Sequence, residues 1–166
     1  MKIAQILVAE AVLADVQGTR DEVVSQLVSA LAKVRGINAE TALKAIAARE
    51  RLGSALFPVG SFYVAVPHAF TETSKQLMMA VGTCREGIVW GSPEKKANVV
   101  LVLLGPPQTQ SLYLRVLSRF ATLCQTEGFV NAWLQCATAR ELIEATAQAE
   151  ASLGDIHEAK GVPTFC

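Results

Sequence analysis

One hydrophobic run near the middle of the chain constrains the fold more than any other feature. The run NVVLVLLG, residues 98–105, lacks the alternation of polar and apolar residues that a half-exposed strand shows. A strand of this kind is buried on both faces. Because only other layers of structure can cover both faces of a sheet, the run predicts a central strand with helices packed on each side.

Other short strand-like segments lie just before this run. They are separated by glycine, proline and charged residues, and their sequences are FPVGSFYVAVPHAF, QLMMAVGTC and GIVWG. Together with the central run they predict a sheet of about four to five strands. Within the first segment, residues 62–66 are predicted to form a short buried strand that Pro67 ends, with His68 directly after it.

Helical patterns occupy both ends of the chain. Thr19 and Glu22 have the spacing of a capping box, and Gly36 supplies a stop for the first clear helix. A second helix is predicted from Asn38 to Gly53.

The C-terminal part of the chain returns to helical periodicity. SLYLRVLSRFATLC predicts a long amphipathic helix, GFVNAWLQC a shorter one, and Thr138 with Glu141 a capping box that starts the last helix. The order predicts one α/β domain, a central mixed sheet flanked by helices, over residues 1–153. Residues 154–166 are predicted to be a C-terminal surface tail.

Charge and hydropathy argue against several classes of partner. Fifteen basic residues balance fifteen acidic ones, so the chain offers no electrostatic reason to bind nucleic acid or an anionic membrane. No apolar run approaches the ~20 residues of a membrane helix, and the N-terminal segment lacks the pattern of a signal peptide. We therefore expect a cytoplasmic protein without direct membrane insertion.

Several common catalytic and ligand-binding motifs are absent from the sequence. No CxxC pair occurs among the four cysteines, and we interpret them as small buried residues rather than metal ligands. Glycine-rich phosphate loops and a GxSxG elbow are also missing. Trp90 and Trp133 are interpreted as core or turn residues.

His68 is the remaining candidate for chemistry. It is one of two histidines, and the other, His157, falls in the predicted tail and is interpreted as a surface residue. Pro67 fixes the backbone before His68, and an imidazole near neutral pKa accepts a proton or a phosphoryl group. Arg49, at the end of a predicted helix, supplies a cation suited to phosphoryl oxygens.

The residues around His68 resemble a known family. Arg49 and Glu50, followed by Leu-Gly-Ser, a loop and then VAVPHAF, resemble the active-site region of the mannitol/fructose-type enzyme IIA domain of the bacterial phosphotransferase system, including its nitrogen-regulatory members. EGIVWGSPEKKANVVLVLLGPP, YLRVLSRFATLC and TARELIEA resemble later segments of the same family. The resemblance covers about residues 23–145.

The resemblance implies a role for three residues. His68 would be the phosphoacceptor, and Arg49 would stabilise the phosphoryl oxygens. Tyr113 stands where the family has a second active-site histidine, and its hydroxyl is able to donate a hydrogen bond but not to share a proton as imidazole does. The family's reaction implies no cofactor and no metal.

The resemblance also implies protein partners. They are an HPr-like histidine phosphocarrier as donor and a IIB protein or domain as acceptor. An apolar docking surface is expected around His68, with Phe57, Phe62 and Phe70 either contributing to it or partly buried in the core.

Three functions remain open at this point. The first is a phosphocarrier that passes its phosphoryl group to a IIB component for sugar uptake. The second is a regulatory IIA-like protein whose phosphorylation state controls binding to a target protein, and Tyr113 favours this one. The third is an interaction module that transfers no phosphate.

Overall fold

The strand β6, residues Ser92–Gly105, is the centre of the sheet. The computed structural model describes residues 1–160, with side chains described through Leu153. The other strands are β1 (Val12–Leu13), β2 (Leu56–Val59), β3 (Phe62–Ala65), β4 (His68–Phe70) and β5 (Met78–Trp90). The helices are α1 (Ile3–Ile6), α2 (Arg20–Arg35), α3 (Ala39–Glu50), α4 (Gln110–Gln125), α5 (Phe129–Gln135) and α6 (Ala139–Lys160).

The sheet is mixed, with strand order β1-β5-β6-β3-β2 and with β4 also paired to β6. Strand β5 runs antiparallel to β6, whereas β3 and β4 run parallel to it. The predicted class, a single α/β domain with a mixed sheet flanked by helices, is confirmed. The described sheet has six strands rather than four to five, although QLMMAVGTC and GIVWG belong to the single strand β5, whose register shifts between Thr83 and Ile88.

Two hydrophobic cores lie on opposite faces of the sheet. Helices α1, α4, α5 and α6 cover one face, and α2 and α3 cover the other. Side chains of β6 alternate between the two cores, and all are at most 1% exposed: Val99, Leu101 and Leu103 on the α4 side, and Val100, Val102 and Leu104 on the α2 side. Full burial of such side chains stabilises the fold by roughly 1.5–3 kcal/mol each, which explains the absence of polar alternation in the run.

The first two long helices begin where the capping residues predict. The Thr19 hydroxyl accepts a hydrogen bond from the Glu22 backbone N–H, and Gly36 ends α2 with a positive φ of 67°. The Asn38 side chain likewise accepts from the Thr41 N–H at the start of α3. Helix α3 ends at Glu50, before the predicted stop at Gly53.

The last helix is longer than its sequence pattern predicts. The Thr138 hydroxyl accepts from the Glu141 N–H at its start, and the Glu141 carboxylate accepts from the Ala137 N–H. Helix α6 continues to Lys160, although the surface tail was predicted to start at residue 154. Residues 161–166 lie outside the described residues, so the tail stays a prediction for them.

Glu150 ties the N-terminal segment to the body of the domain, a contact that sequence patterns did not predict. Its carboxylate is 1% exposed and accepts hydrogen bonds from the Ile3 N–H at 2.9 Å and the Ala4 N–H at 2.8 Å. The Arg119 guanidinium donates to the same group at 3.2 Å. A carboxylate buried among three donors holds α1 against α4 and α6.

Six α-helices and three of the four cysteines lie in the described part of the chain. Within residues 1–160, no helix is both long and apolar enough to cross a membrane. Cys84, Cys124 and Cys136 are buried free thiols, and burial raises the pKa of each. Cys166 lies outside the described residues.

Candidate functional site

The candidate site begins at a break between β3 and β4. Ala65 pairs with Val100, and His68, three residues later, pairs with Leu103, again three residues later. Strands β3 and β4 therefore pair with β6 in the same register, and the pairing is interrupted at Val66 and Pro67. Because proline has no N–H to donate to the ladder, its position explains the interruption.

The backbone at this break orients the imidazole of His68. The ring Nδ1 lies 2.8 Å from the carbonyl oxygen of Val66. A carbonyl oxygen only accepts, so Nδ1 carries the proton and donates it, and in the neutral ring Nε2 keeps its lone pair. The ring is thus held in one tautomer, with Nε2 as its nucleophilic atom.

His68 is largely buried in the folded chain. It comes after the end of β3 at Ala65, opens strand β4, and is only 7% exposed. Among the described residues, no group forms a hydrogen bond with Nε2 of His68. The described side-chain atoms that are both buried and without a partner do not include Nε2, so this atom contacts solvent. This nitrogen is therefore the accessible atom of a largely buried ring.

Two aromatic side chains pack against His68. The ring centroids of His68 and Tyr113 are 5.0 Å apart, with the ring planes tilted by 32°. Phe70 meets Tyr113 edge-on at 5.2 Å and His68 at 6.3 Å. The sequence resemblance placed Tyr113 opposite the candidate phosphoacceptor, and the structure brings the two rings together.

The electrostatic environment of Tyr113 links it to Arg49. Burial raises the pKa of the Tyr113 hydroxyl, and the positive charge of Arg49 offsets part of that effect. A raised tyrosine pKa keeps the group a neutral phenol at physiological pH, where its O–H is a hydrogen-bond donor. The charge of Arg49, at the end of α3, is thus within electrostatic reach of the Tyr113 hydroxyl.

Arg49 is held by the turn that follows its helix. Its Nη1 donates to the Gly53 carbonyl oxygen at 2.8 Å, and the Ser54 hydroxyl donates to the Glu50 carboxylate at 2.7 Å. A guanidinium has five N–H donors in a planar fork, so one bond to Gly53 leaves others for an anionic ligand. Helix α3 also packs against β4, the strand that His68 opens.

Two leucines that lie close in sequence to Arg49 and Tyr113 are more exposed than the three phenylalanines expected around His68. Phe57, Phe62 and Phe70 are half-buried and pack against the core on the α4 side. Leu52, in the turn after Arg49, is 84% exposed, and Leu114, next to Tyr113, is 58% exposed. The exposure of these two leucines cannot be predicted from sequence periodicity, because it depends on which surfaces the fold leaves uncovered.

The remaining candidates for chemistry are metal-binding clusters and the second histidine. Among those residues, no group of three or more His, Cys, Asp or Glu side chains is arranged to hold a metal ion. His157 lies in the part of α6 whose side chains fall outside the described residues.

Comparison with solved structures shows that the fold is that of enzyme IIA proteins. The nitrogen regulatory protein IIA-Ntr from Neisseria meningitidis has a TM-score of 0.74 and 23% identity, covering 87% of this chain and 98% of its own. IIA mannitol from Escherichia coli has a TM-score of 0.70 and 19% identity, covering 84% of this chain and 98% of its own. The complex of enzyme IIAMtl and phosphorylated enzyme IIBMtl from Escherichia coli gives a TM-score of 0.70 at 18% identity, covering 86% of this chain and 97% of the matched one.

The sequence itself establishes the family. Residues 5–149 match the family described as "Phosphoenolpyruvate-dependent sugar phosphotransferase system, EIIA 2". The chain therefore belongs to the EIIA 2 family of the phosphoenolpyruvate-dependent sugar phosphotransferase system. No curated protein matches the chain in a direct sequence comparison.

Proposed function

We propose that the protein is a phosphocarrier that accepts a phosphoryl group on His68 from an HPr-like histidine phosphocarrier and passes it to a IIB component. The observation that carries the proposal is the hydrogen bond from His68 Nδ1 to the Val66 carbonyl, which leaves Nε2 as the nucleophile. Membership of the EIIA 2 family supports it. The protein is expected to act in the cytoplasm, where such donors are found.

The transfer requires positioning and charge stabilisation rather than a cofactor. Nε2 of His68 attacks the phosphorus of the donor's phosphohistidine in line, so one P–N bond forms as the other breaks. The donor ring leaves as neutral imidazole when its second nitrogen carries a proton. His68 keeps the proton on its Nδ1, which still donates a hydrogen bond to the Val66 carbonyl oxygen. Transfer onward repeats these steps with a side chain of the acceptor as nucleophile.

Two side chains are proposed to assist this step. Arg49 stabilises the negative charge on the phosphoryl oxygens through its guanidinium fork. Tyr113 supplies a neutral hydroxyl donor beside the ring of His68. A histidine at the position of Tyr113 would also exchange protons, because imidazole both accepts and donates them. Neither residue is asked to form a covalent bond.

The accepting and donating partners are proposed to dock on exposed apolar side chains around the site. Leu52 lies three residues after Arg49 and is 84% exposed, and Leu114 directly follows Tyr113 and is 58% exposed. Apolar anchors at the centre of a contact exclude water from the transferring group. One of the solved complexes pairs an enzyme IIA with a phosphorylated enzyme IIB, which supports a IIB-type partner.

A regulatory role is the second candidate, and Tyr113 is the residue that favours it. A regulatory protein signals through its phosphorylation state and does not need to transfer the phosphoryl group quickly in both directions. The proton exchange that a second histidine would provide is therefore less important for a regulatory protein than for a phosphocarrier. In this reading, phosphorylation of His68 changes the charge at the surface that a target protein binds.

The test is phosphorylation in a reconstituted system. The protein is incubated with phosphoenolpyruvate, enzyme I and HPr, and its mass is measured. We expect the addition of one phosphate, loss of that addition in His68→Gln, and its retention in His157→Gln, which changes the other histidine. Absence of any addition with a competent donor would reject both the carrier and the regulatory function and leave the non-transferring interaction module.

The two candidates are separated by the next step. Purified phosphorylated protein is mixed with IIB proteins, and the transfer of the phosphate is followed. Transfer to at least one IIB protein supports the carrier function. Stable retention on His68 with every IIB protein tested supports the regulatory one.

A further inference from the structure

Phe70 lies two residues after His68 on β4. Because side chains two apart on a strand project from the same face of a sheet, Phe70 and His68 point to the same side. Phe70 packs against the core that α4 covers, whereas Ala69, between the two, packs in the core on the other face. Strand geometry therefore places the Phe70 ring beside His68, on the side where Tyr113 enters from the first turn of α4.

The rings of His68, Phe70 and Tyr113 form an aromatic cluster. The Phe70 and Tyr113 rings meet at 81° with their centroids 5.2 Å apart, and the Phe70 and His68 rings meet at 69° with their centroids 6.3 Å apart. Both contacts are edge-to-face, an arrangement in which the positive edge of one ring meets the negative face of the other. Phe70 thus contacts the candidate phosphoacceptor and its aromatic neighbour at the same time.

Tyr113 depends on packing for its position. The residue is only 8% exposed, yet its hydroxyl forms no hydrogen bond with any residue whose side chain the structure describes. The phenol ring is therefore held by its neighbours, and two of these are the rings of His68 and Phe70. Because protein interiors are close-packed, a change in the shape of one neighbour displaces the ring that rests on it.

We propose that Phe70 is a positioning residue for phosphoryl transfer. Its ring holds the phenol of Tyr113 against the imidazole of His68, so that the Tyr113 hydroxyl stays beside the nitrogen that accepts the phosphoryl group. Phe70 forms no bond and breaks none, and it acts only through Tyr113. The inference rests on the proposed phosphocarrier function and adds a residue to it.

The test is a double-mutant cycle between Phe70 and the Tyr113 hydroxyl. Phe70→Leu keeps an apolar side chain and removes the aromatic edge, while Tyr113→Phe removes only the hydroxyl. Rapid-quench phosphorylation over a range of phosphorylated HPr concentrations separates the maximal rate from the HPr concentration that gives half of it. Phe70→Leu should lower the maximal rate by up to about tenfold, the effect of losing a hydrogen bond to a charged group.

The same substitution should have no further effect in the Tyr113→Phe background, because the hydroxyl that Phe70 positions is already absent. Such non-additivity is the mark of two residues that act through one interaction. Phe70→Tyr keeps the ring and should keep the natural rate. A residue that only stabilised the fold would slow the reaction equally in both backgrounds.

Phe129→Leu is the matched control. Phe129 packs in the same core, 5.0 Å from the Trp133 ring, and within the described residues it has no ring contact with the aromatic cluster. The substitution removes an aromatic contact from this core and should leave the maximal rate unchanged. Circular dichroism checks that each variant folds.

A second measurement uses unphosphorylated protein. The chain has two histidines and two tyrosines, so His157→Gln and Tyr63→Phe assign the ring signals of His68 and Tyr113. Rings with centroids 5.0 Å apart should show a nuclear Overhauser effect between their protons. We expect this effect in the natural chain and in Phe70→Tyr, and a weaker one in Phe70→Leu.

Three results would overturn the inference: equal slowing by Phe70→Leu in both backgrounds, a change only in the half-saturating HPr concentration, or an unchanged Overhauser effect in Phe70→Leu. The second result would make Phe70 a docking residue. If the natural chain accepts no phosphate, the phosphocarrier function fails and the inference with it. If the natural chain is phosphorylated and Phe70→Leu is equally fast, the inference alone fails.

Discussion

The Nδ1 atom of His68 lies 2.8 Å from the carbonyl oxygen of Val66, two residues earlier in the chain. The contact exists because the strand is interrupted at Pro67, so the Val66 carbonyl meets the imidazole that follows the break. A short backbone irregularity thereby selects the tautomer of the candidate phosphoacceptor.

The first prediction concerns which ring nitrogen carries phosphate. Since Nδ1 donates to Val66, phosphorylation should occur on Nε2 alone. The measurement is ¹⁵N NMR of histidine-labelled protein before and after phosphorylation, with His157→Gln used to simplify the spectrum. Phosphate found on Nδ1 would show that the ring leaves this hydrogen bond before it reacts.

A second prediction concerns the hydroxyl of Tyr113. Tyr113→Phe keeps the aromatic contact with His68 and removes only the donor, so phosphorylation by HPr should slow roughly tenfold, the usual effect of losing a hydrogen bond to a charged group. The thermal midpoint should change little. Rapid-quench kinetics measure the rate, and an unchanged rate would restrict Tyr113 to packing.

The variant Tyr113→His places imidazole where the family has its second histidine. If proton sharing at this position matters, its rate should exceed that of Tyr113→Phe. Equal rates for the two variants would argue against that role.

Arg49 gives a third prediction. Arg49→Ala removes the cation proposed to face the phosphoryl oxygens and should slow phosphorylation about a hundredfold, as when one transition-state donor is removed from an enzyme. Lys44→Gln is the matched control, because Lys44 lies on the same helix, is 76% exposed and, among the described residues, forms a salt bridge only with Glu40. Circular dichroism checks that both variants fold. Equal rates in the two variants would remove Arg49 from the site.

The fourth prediction concerns stability. Glu150→Gln breaks the pair with Arg119 and replaces a carboxylate that accepts from Ile3 and Ala4 with a group that also carries donors. We expect a loss of about 3 kcal/mol in the free energy of unfolding, typical of breaking a buried ion pair.

The control for that measurement is Glu144→Gln on the same helix. Glu144 pairs with Arg140 at 2.9 Å, but the two side chains are 58% and 87% exposed. Exposed pairs of this kind contribute at most about 1 kcal/mol. Denaturant unfolding of both variants measures the difference, and similar losses would mean that the burial of Glu150 adds nothing.

The fifth prediction follows from Cys124. Burial raises the pKa of its thiol from 9.0 to about 12 in the folded protein. Between these values the unfolded state loses a proton that the folded state keeps, so the free energy of unfolding falls as pH rises, by up to roughly 1.4 kcal/mol per unit. Below pH 9 this contribution is fully present.

The measurement is denaturant unfolding at several pH values from 7 to about 11, within the range set by these pKa values. The variant Cys124→Ala should show a shallower decline above pH 9 than the natural chain. Burial raises the pKa of Tyr113, Cys84 and Cys136 in the same direction, so some decline should remain. Identical slopes would show that Cys124 does not titrate as its burial implies.

The candidate site was only partly predictable. His68, Arg49 and Tyr113 were selected from local sequence and family resemblance, and the structure places Tyr113 against His68 and the charge of Arg49 within reach of Tyr113. The exposure of Leu52 and Leu114 was not predicted. Exposure is a property of the assembled surface and leaves no periodic signal in the sequence.

The sequence by itself determined the central strand, the capped helices at Thr19 and Thr138, and the α/β class. These features depend on interactions between residues three or four apart, or on the simple demand that an unbroken apolar run be covered. Tertiary structure alone decided that Glu150 anchors Ile3 across 147 positions of the chain. It alone also set the burial of the Trp90 donor, because such contacts arise only when distant segments share one interior of low dielectric constant.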